Sequence, residues 1–343
     1  MKAVVLRAPG DVGVDEVSEP SILDDGDAIV AVTATAISGA DLFPYHGLTP
    51  GFQDGTILGH ECAGEVVAVG RGVRKLRVGQ RVVNASMISC GTCLSCGAGR
   101  VTQCDGRALF GYSGVYPRLD GGQAELVRVP LAERALRVLP DEVPDEAAVF
   151  LADILPTGFA AVTRAGVSAG DIVAVVGCGP VGLMAILCAV HLGADVIAID
   201  GIDTRRELAE TLGARAVDVS AAADAVSQTT EGLGADVVVE AAGVPAALDS
   251  SLRLARGRGT VSVVGAHFEP DYPLDNALMF ERELTLRFAI GDPTADAGPL
   301  LDLVATGTID PAQVITHRMP LAEAGEAYRL FDSREATKVV LAP

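Results

Sequence analysis

The stretch Ile172-Val173-Ala174-Val175-Val176-Gly177-Cys178-Gly179-Pro180-Val181-Gly182 decides how the second half of this chain folds. Its first five residues are apolar and mostly β-branched, which reads as a buried strand. The glycines that follow form a G-x-G-x-x-G run opening an apolar helical segment, Val181–Leu192. Such glycines permit a tight turn and let the backbone approach a pyrophosphate, while the helix start offers free N–H groups and the positive end of its dipole. The next strand, Val196–Ile199, runs into Asp200, about where a ribose-binding carboxylate falls in a dinucleotide unit. That carboxylate accepts hydrogen bonds from both ribose hydroxyls and repels a 2′-phosphate, so NAD is favoured over NADP. Arg205 and Arg206 pull the other way. The residues expected to hold the cofactor are Gly177, Gly179, Pro180, Val181, Gly182, Asp200 and Arg205.

The same texture extends outward. Further strands are predicted at Ala216–Val219, Asp236–Glu240, Thr260–Val264 and Thr285–Ala289, with helices at Arg205–Leu212 and Pro245–Ala255 between them. Strand alternating with helix means βαβ units and a parallel sheet covered on both faces. A helix, Gly298–Thr306, and a last strand, Lys338–Leu341, follow. The first ~150 residues read differently, as short β-branched runs (Ala28–Ala36, Gly64–Val69, Arg81–Asn84) punctuated by Gly and Pro. The 343 residues thus divide into a sheet-rich part and an α/β part.

A formal net charge of -19 excludes a phosphate-neutralising surface and disfavours an anionic membrane. No apolar run reaches the ~18 residues of a membrane span, and no secretory leader is read at Met1–Leu6. A cytoplasmic protein with a small-molecule substrate, no nucleic acid and no membrane is the expectation.

Four of the seven cysteines fall within fifteen residues, as Cys90-x2-Cys93-x2-Cys96-x7-Cys104. In a reducing compartment such a cluster is a metal site rather than a disulfide framework. Four thiolates close a tetrahedral zinc and leave no position for substrate, so the expected role is a structural zinc that staples a loop. Cys178 and Cys188 read as small core hydrophobes.

With the nucleotide motif and the cysteine lobe in place, the chain resembles the zinc-type alcohol dehydrogenase family of the medium-chain dehydrogenase/reductase superfamily. The resemblance also rests on Gly59-His60-Glu61, on Asp120-Gly121-Gly122-Gln123-Ala124-Glu125, on Asp153 ahead of Thr157-Gly158-Phe159, and on Lys338-Val339-Val340-Leu341. It implies a chaperonin-10-like β-rich catalytic domain (1–152 and 291–343, with the zinc lobe at 90–104) and a Rossmann doubly wound parallel sheet (153–290), with the active site in the cleft. It also implies a homodimer or homotetramer. A catalytic zinc in this family sits on a Cys, on the His of Gly-His-Glu and on a later Cys or Asp, with the adjacent Glu close enough to ligate. His60, Glu61 and Asp153 match those positions.

The Cys does not match. The family's Cys-Gly-Thr/Ser-Asp reads here as Ser38-Gly39-Ala40-Asp41. Ser38 replaces the thiolate, Ala40 the hydroxyl that relays the alcohol proton, and Phe43 a His found in many members. A serine hydroxyl is a poor zinc ligand, so His60, Glu61 and Asp153 would form a harder and more labile N/O site. Ser38, His60, Glu61 and Asp153 are the candidate catalytic positions. Either an ordinary zinc dehydrogenase or a reductase working without catalytic zinc follows, moving hydride between NAD(H) and a small alcohol, a carbonyl, or an activated iminium or conjugated carbonyl. The alternative is a non-catalytic NAD(H)-binding scaffold or sensor. His46 reads as an exposed loop histidine, with Tyr45 or His46 as a replacement acid in the sharper reading. His267, after the fifth strand, falls near the expected nicotinamide half, His191 at a helix end, and His317 on a strand or loop.

Overall fold

The structure, a computed structural model, describes residues 1–269 and 271–343. The chain forms two compact units, Met1–Asp153 with Asp292–Pro343, and Ile154–Gly291.

In the first unit a seven-stranded sheet runs in the order Leu136–Val138, Arg81–Asn84, Glu61–Val69, Ala28–Ala36, Val339–Ala342, His317–Pro320, with Leu126–Val129 also on Ala28–Ala36. A three-stranded sheet of Asp11–Glu16, Lys2–Ala8 and Thr56–Ile57 lies in the same unit. Ala36 pairs with Glu61 on one side and with Val340 on the other, both antiparallel. This register brings the start of the 61–69 strand and the chain's last strand onto the same central strand. Strand alternation buries Ala28, Val30, Val32, Val66, Val82 and Val127 in one cluster with Phe110.

In the second unit six strands form one all-parallel sheet, ordered Arg215–Val217, Asp195–Ile199, Ile172–Val176, Ala235–Glu240, Ala255–Val263, Thr285–Phe288. That is the doubly wound order, with its switch point between Ile172–Val176 and Ala235–Glu240. Helices Pro180–His191, Asp203–Thr211 and Pro245–Leu254 connect strands. Val176, Ile197, Ile199, Val238, Leu248, Leu252 and Val261 share one core, and each such side chain contributes about 1.5–3 kcal/mol by burial.

The parallel sheet and the β-rich unit were legible in the sequence; several boundaries were not. The 61–69 strand starts at Glu61 rather than Gly64. Val219 leaves the third strand to begin a short 3-10 turn capped by Asp218. The fifth strand starts at Ala255 rather than Thr260 and carries Gly257 and Gly259 inside it. The helix expected at Gly298–Thr306 spans Pro293–Ala305: Asp292 accepts hydrogen bonds from Thr294 and Ala295 at its start, and Pro299 is carried inside it. The last strand is Val339–Ala342, which frees Lys338 to serve as a buried side chain. Among the described residues no single helix is long and apolar enough to cross a membrane.

Candidate active site and metal centres

The nucleotide turn follows from its glycines. Gly177 adopts φ +97, a conformation open to glycine, and a Cβ there would meet the Ala242 backbone nitrogen at 2.8 Å. A Cβ on Gly182 would lie 1.9 Å from the Gly177 carbonyl oxygen, so the helix packs directly on its own turn. Gly179 differs: a Cβ there would meet only the Arg205 guanidinium, at 3.9 Å. The middle glycine thus faces open space at the N-terminus of Pro180–His191, where Pro180 occupies the first turn and Val181 follows it. This cradle fits a pyrophosphate.

Asp200 immediately follows its strand and is buried, accepting hydrogen bonds from Cys178 N–H at 2.7 Å and Ile202 N–H at 2.8 Å, one on each carboxylate oxygen. Each oxygen keeps a further lone pair for a ribose hydroxyl. The two arginines that complicated the cofactor reading separate here. Arg206 is committed to Asp203, Asp218 and the Asp200 carbonyl oxygen, whereas Arg205 stays beside the turn.

In the first unit, His60 immediately precedes the 61–69 strand. Its carbonyl accepts from Asn84 Nδ2 at 2.9 Å, and Asn84 Oδ1 takes the Cys62 N–H at 2.8 Å, which pins the strand start. The buried imidazole has Nδ1 3.2 Å from Asp41 Oδ1 and Nε2 3.3 Å from Asp153 Oδ2. Asp41 is itself fixed: its other oxygen accepts from Ser38 N–H at 3.0 Å and from Gln123 Nε2 at 3.3 Å, and Gln123 Oε1 accepts from Tyr328 Oη at 2.8 Å. Asp153 ends the 149–152 3-10 turn, a quarter exposed, with Ser86 Oγ at 3.3 Å. Glu61 is fully buried and ion-paired through Oε2 to the equally buried Lys338, whose Nζ also donates to Ile37 O at 3.2 Å and lies 5.5 Å from the centre of the Phe150 ring.

Among the described residues of this unit two buried side-chain atoms, His60 Nε2 and Glu61 Oε1, make no hydrogen bond, the former with Asp153 Oδ2 3.3 Å away but out of line. One ligand atom each from His60, Glu61 and Asp153 lies within 4.8 Å of the others. Burial disfavours charge on His60, but Asp41 and Asp153 more than offset it and hold the imidazole well above its ordinary value of 6.5. Burial pushes Glu61 up to about 7 against the pull of Lys338 and His60. An orphaned nitrogen facing carboxylates has two physical solutions, a proton or a cation. With Nδ1–H donated to Asp41, Nε2 presents its lone pair, the arrangement by which a carboxylate–histidine pair serves a metal. The donor set, one nitrogen and two carboxylates, fits a divalent cation without sulfur.

Ser38 is buried beside this set, on the turn that carries Asp41. It is 3% exposed, and its backbone N–H serves Asp41. Ala40 offers only its carbonyl oxygen, which accepts from Tyr112 Oη. His46 is a half-exposed loop histidine, with Nε2 2.7 Å from Asp332 Oδ1, and Tyr45 packs on Tyr328 at 5.7 Å between ring centres. The supporting residues Asp41, Gln123 and Lys338 stood within the motifs quoted above but were assigned no role. Only the three-residue step from Ser38 to Asp41, typical of a capped turn, hinted at one.

The cysteine lobe gathers Cys90, Cys93, Cys96 and Cys104 so that all four sulfurs lie within 4.8 Å of one another. Cys90 and Cys96 Sγ are 4.0 Å apart, Cys93 and Cys104 Sγ 3.9 Å. A tetrahedral zinc with Zn–S of about 2.3 Å would separate its sulfurs by about 3.8 Å. Backbone N–H groups of Thr92 and Cys93 donate to Cys90 Sγ at 3.4 Å each, and Cys96 N–H donates to Cys93 Sγ at 3.5 Å. These donors lower the Cys90 thiol to about 6 and lower Cys93 as well, while desolvation raises Cys96 to about 11. Four thiols this close share their ionisation, and a cation at their centre would deprotonate all of them.

Comparison with known proteins identifies the family. Residues 24–141 match the alcohol dehydrogenase GroES-like domain, and residues 180–306 match the zinc-binding dehydrogenase domain. A zinc-type alcohol dehydrogenase B of Aspergillus flavus is 36% identical over 99% of this chain and 81% of its own. The structure of alcohol dehydrogenase TADH from Thermus sp. ATN1 superposes with a TM-score of 0.95 at 39% identity, covering 100% of this chain and 99% of that one. A zinc-binding dehydrogenase of Sinorhizobium meliloti 1021 solved with NADP is 33% identical at a TM-score of 0.87, covering 100% and 99%. An alcohol dehydrogenase of Escherichia coli CFT073 solved with NADH is 27% identical at 0.89, covering 100% and 99%. The chain is therefore an oxidoreductase that belongs to the zinc-type alcohol dehydrogenase family of the medium-chain dehydrogenase/reductase superfamily.

Proposed function

We propose that this enzyme moves a hydride between NAD(H) and a small alcohol, carbonyl or already electrophilic substrate such as an iminium or conjugated carbonyl. We propose further that its catalytic cation is held by His60, Glu61 and Asp153 without a thiolate. The observation that carries this reading is the pair of orphaned buried atoms, His60 Nε2 and Glu61 Oε1, gathered with the Asp153 carboxylate.

A cation bound there would polarise the substrate oxygen. The protein's own contributions follow from its side chains. Asp41 keeps the imidazole in one orientation, and Lys338 balances the charge of the fully buried Glu61. Position 40 carries no hydroxyl, so the chain has no side-chain proton relay there, a step worth typically 10²–10⁴-fold. A substrate that is already electrophilic needs that relay least. Cys90, Cys93, Cys96 and Cys104 hold a separate structural zinc in this reading, supported by their sulfur spacing. NAD(H) is preferred because Asp200 closes the second strand. Four unpaired thiols suit a reducing cytoplasm. A homodimer or homotetramer is supported by the sheet-edge strand Thr285–Phe288, where Phe288 is 64% exposed, and by the neighbouring Phe280.

Steady-state turnover over a panel of simple alcohols, aldehydes, enones and cyclic imines tests the reading. It expects activated carbonyls or imines to be reduced with NADH far faster than simple alcohols are oxidised with NAD. Efficient oxidation of unactivated primary alcohols would overturn it.

A further inference from the structure

We propose that Glu240 and His267 are positioning residues for the nicotinamide half of the cofactor, a role that rests on the NAD(H) reading above. Glu240 ends the strand after the switch point and is fully buried. A buried carboxylate survives only with its lone pairs matched. Oε1 accepts from Ala242 N–H at 3.0 Å and Gly243 N–H at 2.8 Å, and Oε2 lies 2.9 Å from His267 Nε2. Its backbone carbonyl accepts from Val264 N–H at 2.8 Å and Gly265 N–H at 3.0 Å. One residue therefore binds the loop after its own strand to the loop after the neighbouring strand, Ala255–Val263. The two loops touch closely: a Cβ on Gly265 would lie 2.3 Å from Gly243 N and 2.5 Å from Glu240 Oε2.

The couple also reaches the phosphate turn. Ala241 N–H donates to Val176 O at 2.8 Å, and Ala242 N lies 2.8 Å from where a Gly177 Cβ would stand. In a doubly wound sheet a dinucleotide lies across the carboxyl ends of the strands at the switch point, one nucleotide half on each half of the sheet. Asp200 belongs to the first half. Glu240 and the 264–267 loop belong to the second, which takes the nicotinamide. The Glu240–His267 bond is a side-chain contact that ties these second-half loops to each other and, through residues 241 and 242, to the glycine turn. His267 is about one-tenth exposed, with Glu269 Oε2 3.7 Å from its Nδ1. Its exposed edge thus belongs to the loop on which the nicotinamide ring would rest, and Glu240 sets its orientation.

The test separates the two cofactor halves. NADH and ADP-ribose affinities are measured by titration for the whole protein, for His267→Ala, and for His267→Asn, whose amide can still donate to Glu240. The expected result is at least a tenfold weaker NADH affinity in His267→Ala, an ADP-ribose affinity within about twofold of wild type, and partial recovery in His267→Asn. Unchanged NADH affinity, or equal loss for both ligands, would overturn the positioning role and leave the couple as a structural tie. Wild-type protein that binds ADP-ribose and NADH with no measurable affinity would instead remove the NAD(H) reading, and this inference with it.

Discussion

The chain gathers two sets of metal-type ligands, built in opposite ways. The cysteine lobe draws four soft sulfurs from one fifteen-residue loop, three partly buried and Cys104 fully so, with charge offset by adjacent backbone N–H groups. The other draws one nitrogen and two carboxylates from a strand start and a distant 3-10 turn, His60 and Glu61 fully buried, and offsets charge with side chains far along the chain. Lys338 lies 277 residues from Glu61. The first arrangement is nearly self-sufficient. The second depends on the whole first unit to hold it, and it lacks the sulfur that would make zinc slow to leave. The difference teaches that a buried hard-ligand site is specified by its supports as much as by its ligands.

Removing one ligand from the local site should give the largest effect. Cys93→Ser is expected to lower zinc content by about one ion per subunit and the melting temperature by several degrees. Elemental analysis and calorimetry check this, and unchanged values in both would remove the lobe from the comparison. Removing a support from the buried site should come next. Asp41→Asn is expected to weaken cation binding at His60 by about 10–100-fold while the lobe stays loaded. A chelator competition reads the two affinities separately, and equal loss at both would mean they are not independent.

Acidification should sharpen the contrast. Glu61, at about 7, and His60, held well above 6.5, must both lose protons before a cation binds, so occupancy of the buried site should fall from pH 8 to pH 6. The metal-free protein should show the opposite trend. Its folded state holds protons on Glu61 and His60 that the unfolded chain releases, so that contribution is complete below the ordinary value of 4.5 for Glu61. It is lost as pH rises through about 7 for Glu61 and higher for His60. Denaturation midpoints across pH 5–9, with and without added zinc, check the sign. Parallel curves would contradict it. The smallest effect concerns the second unit. Asp200→Ala should narrow the preference for NADH over NADPH, with Arg205 then facing the 2′-phosphate, and fluorescence titration of both cofactors reads it. Tighter NADPH binding by the wild-type protein would reverse the assignment.

Features built from neighbours in sequence were legible before the structure. The strand–turn–helix around Gly177, the carboxylate at Asp200 and the four-cysteine spacing all lie within short windows whose chemistry is local. His60, Glu61 and Asp153 were legible through resemblance, because nothing local joins residue 61 to residue 153. The roles of Asp41, Gln123 and Lys338 were not legible, since they arise from sheet register: Ala36 lies between Glu61 and Val340, and only that pairing carries Lys338 to Glu61. His267 was placed near the nicotinamide half from sequence, but its pairing with Glu240 was hidden for the same reason, as their strands become neighbours only in the parallel sheet. Boundaries slipped where Gly or Pro sits inside an element, as at Gly257 and Pro299, because tertiary packing outweighs local propensity there.

The central claim is that the buried site, lacking a thiolate, holds zinc more weakly than the lobe. Zinc per subunit measured after mild chelation, with anomalous diffraction to place each ion, tests it on wild type and Ser38→Cys together. About one zinc is expected in wild type, at Cys90–Cys104, and about two in Ser38→Cys, the second at His60 and Asp153. Full occupancy at His60 and Asp153 in the chelated wild-type protein would contradict it.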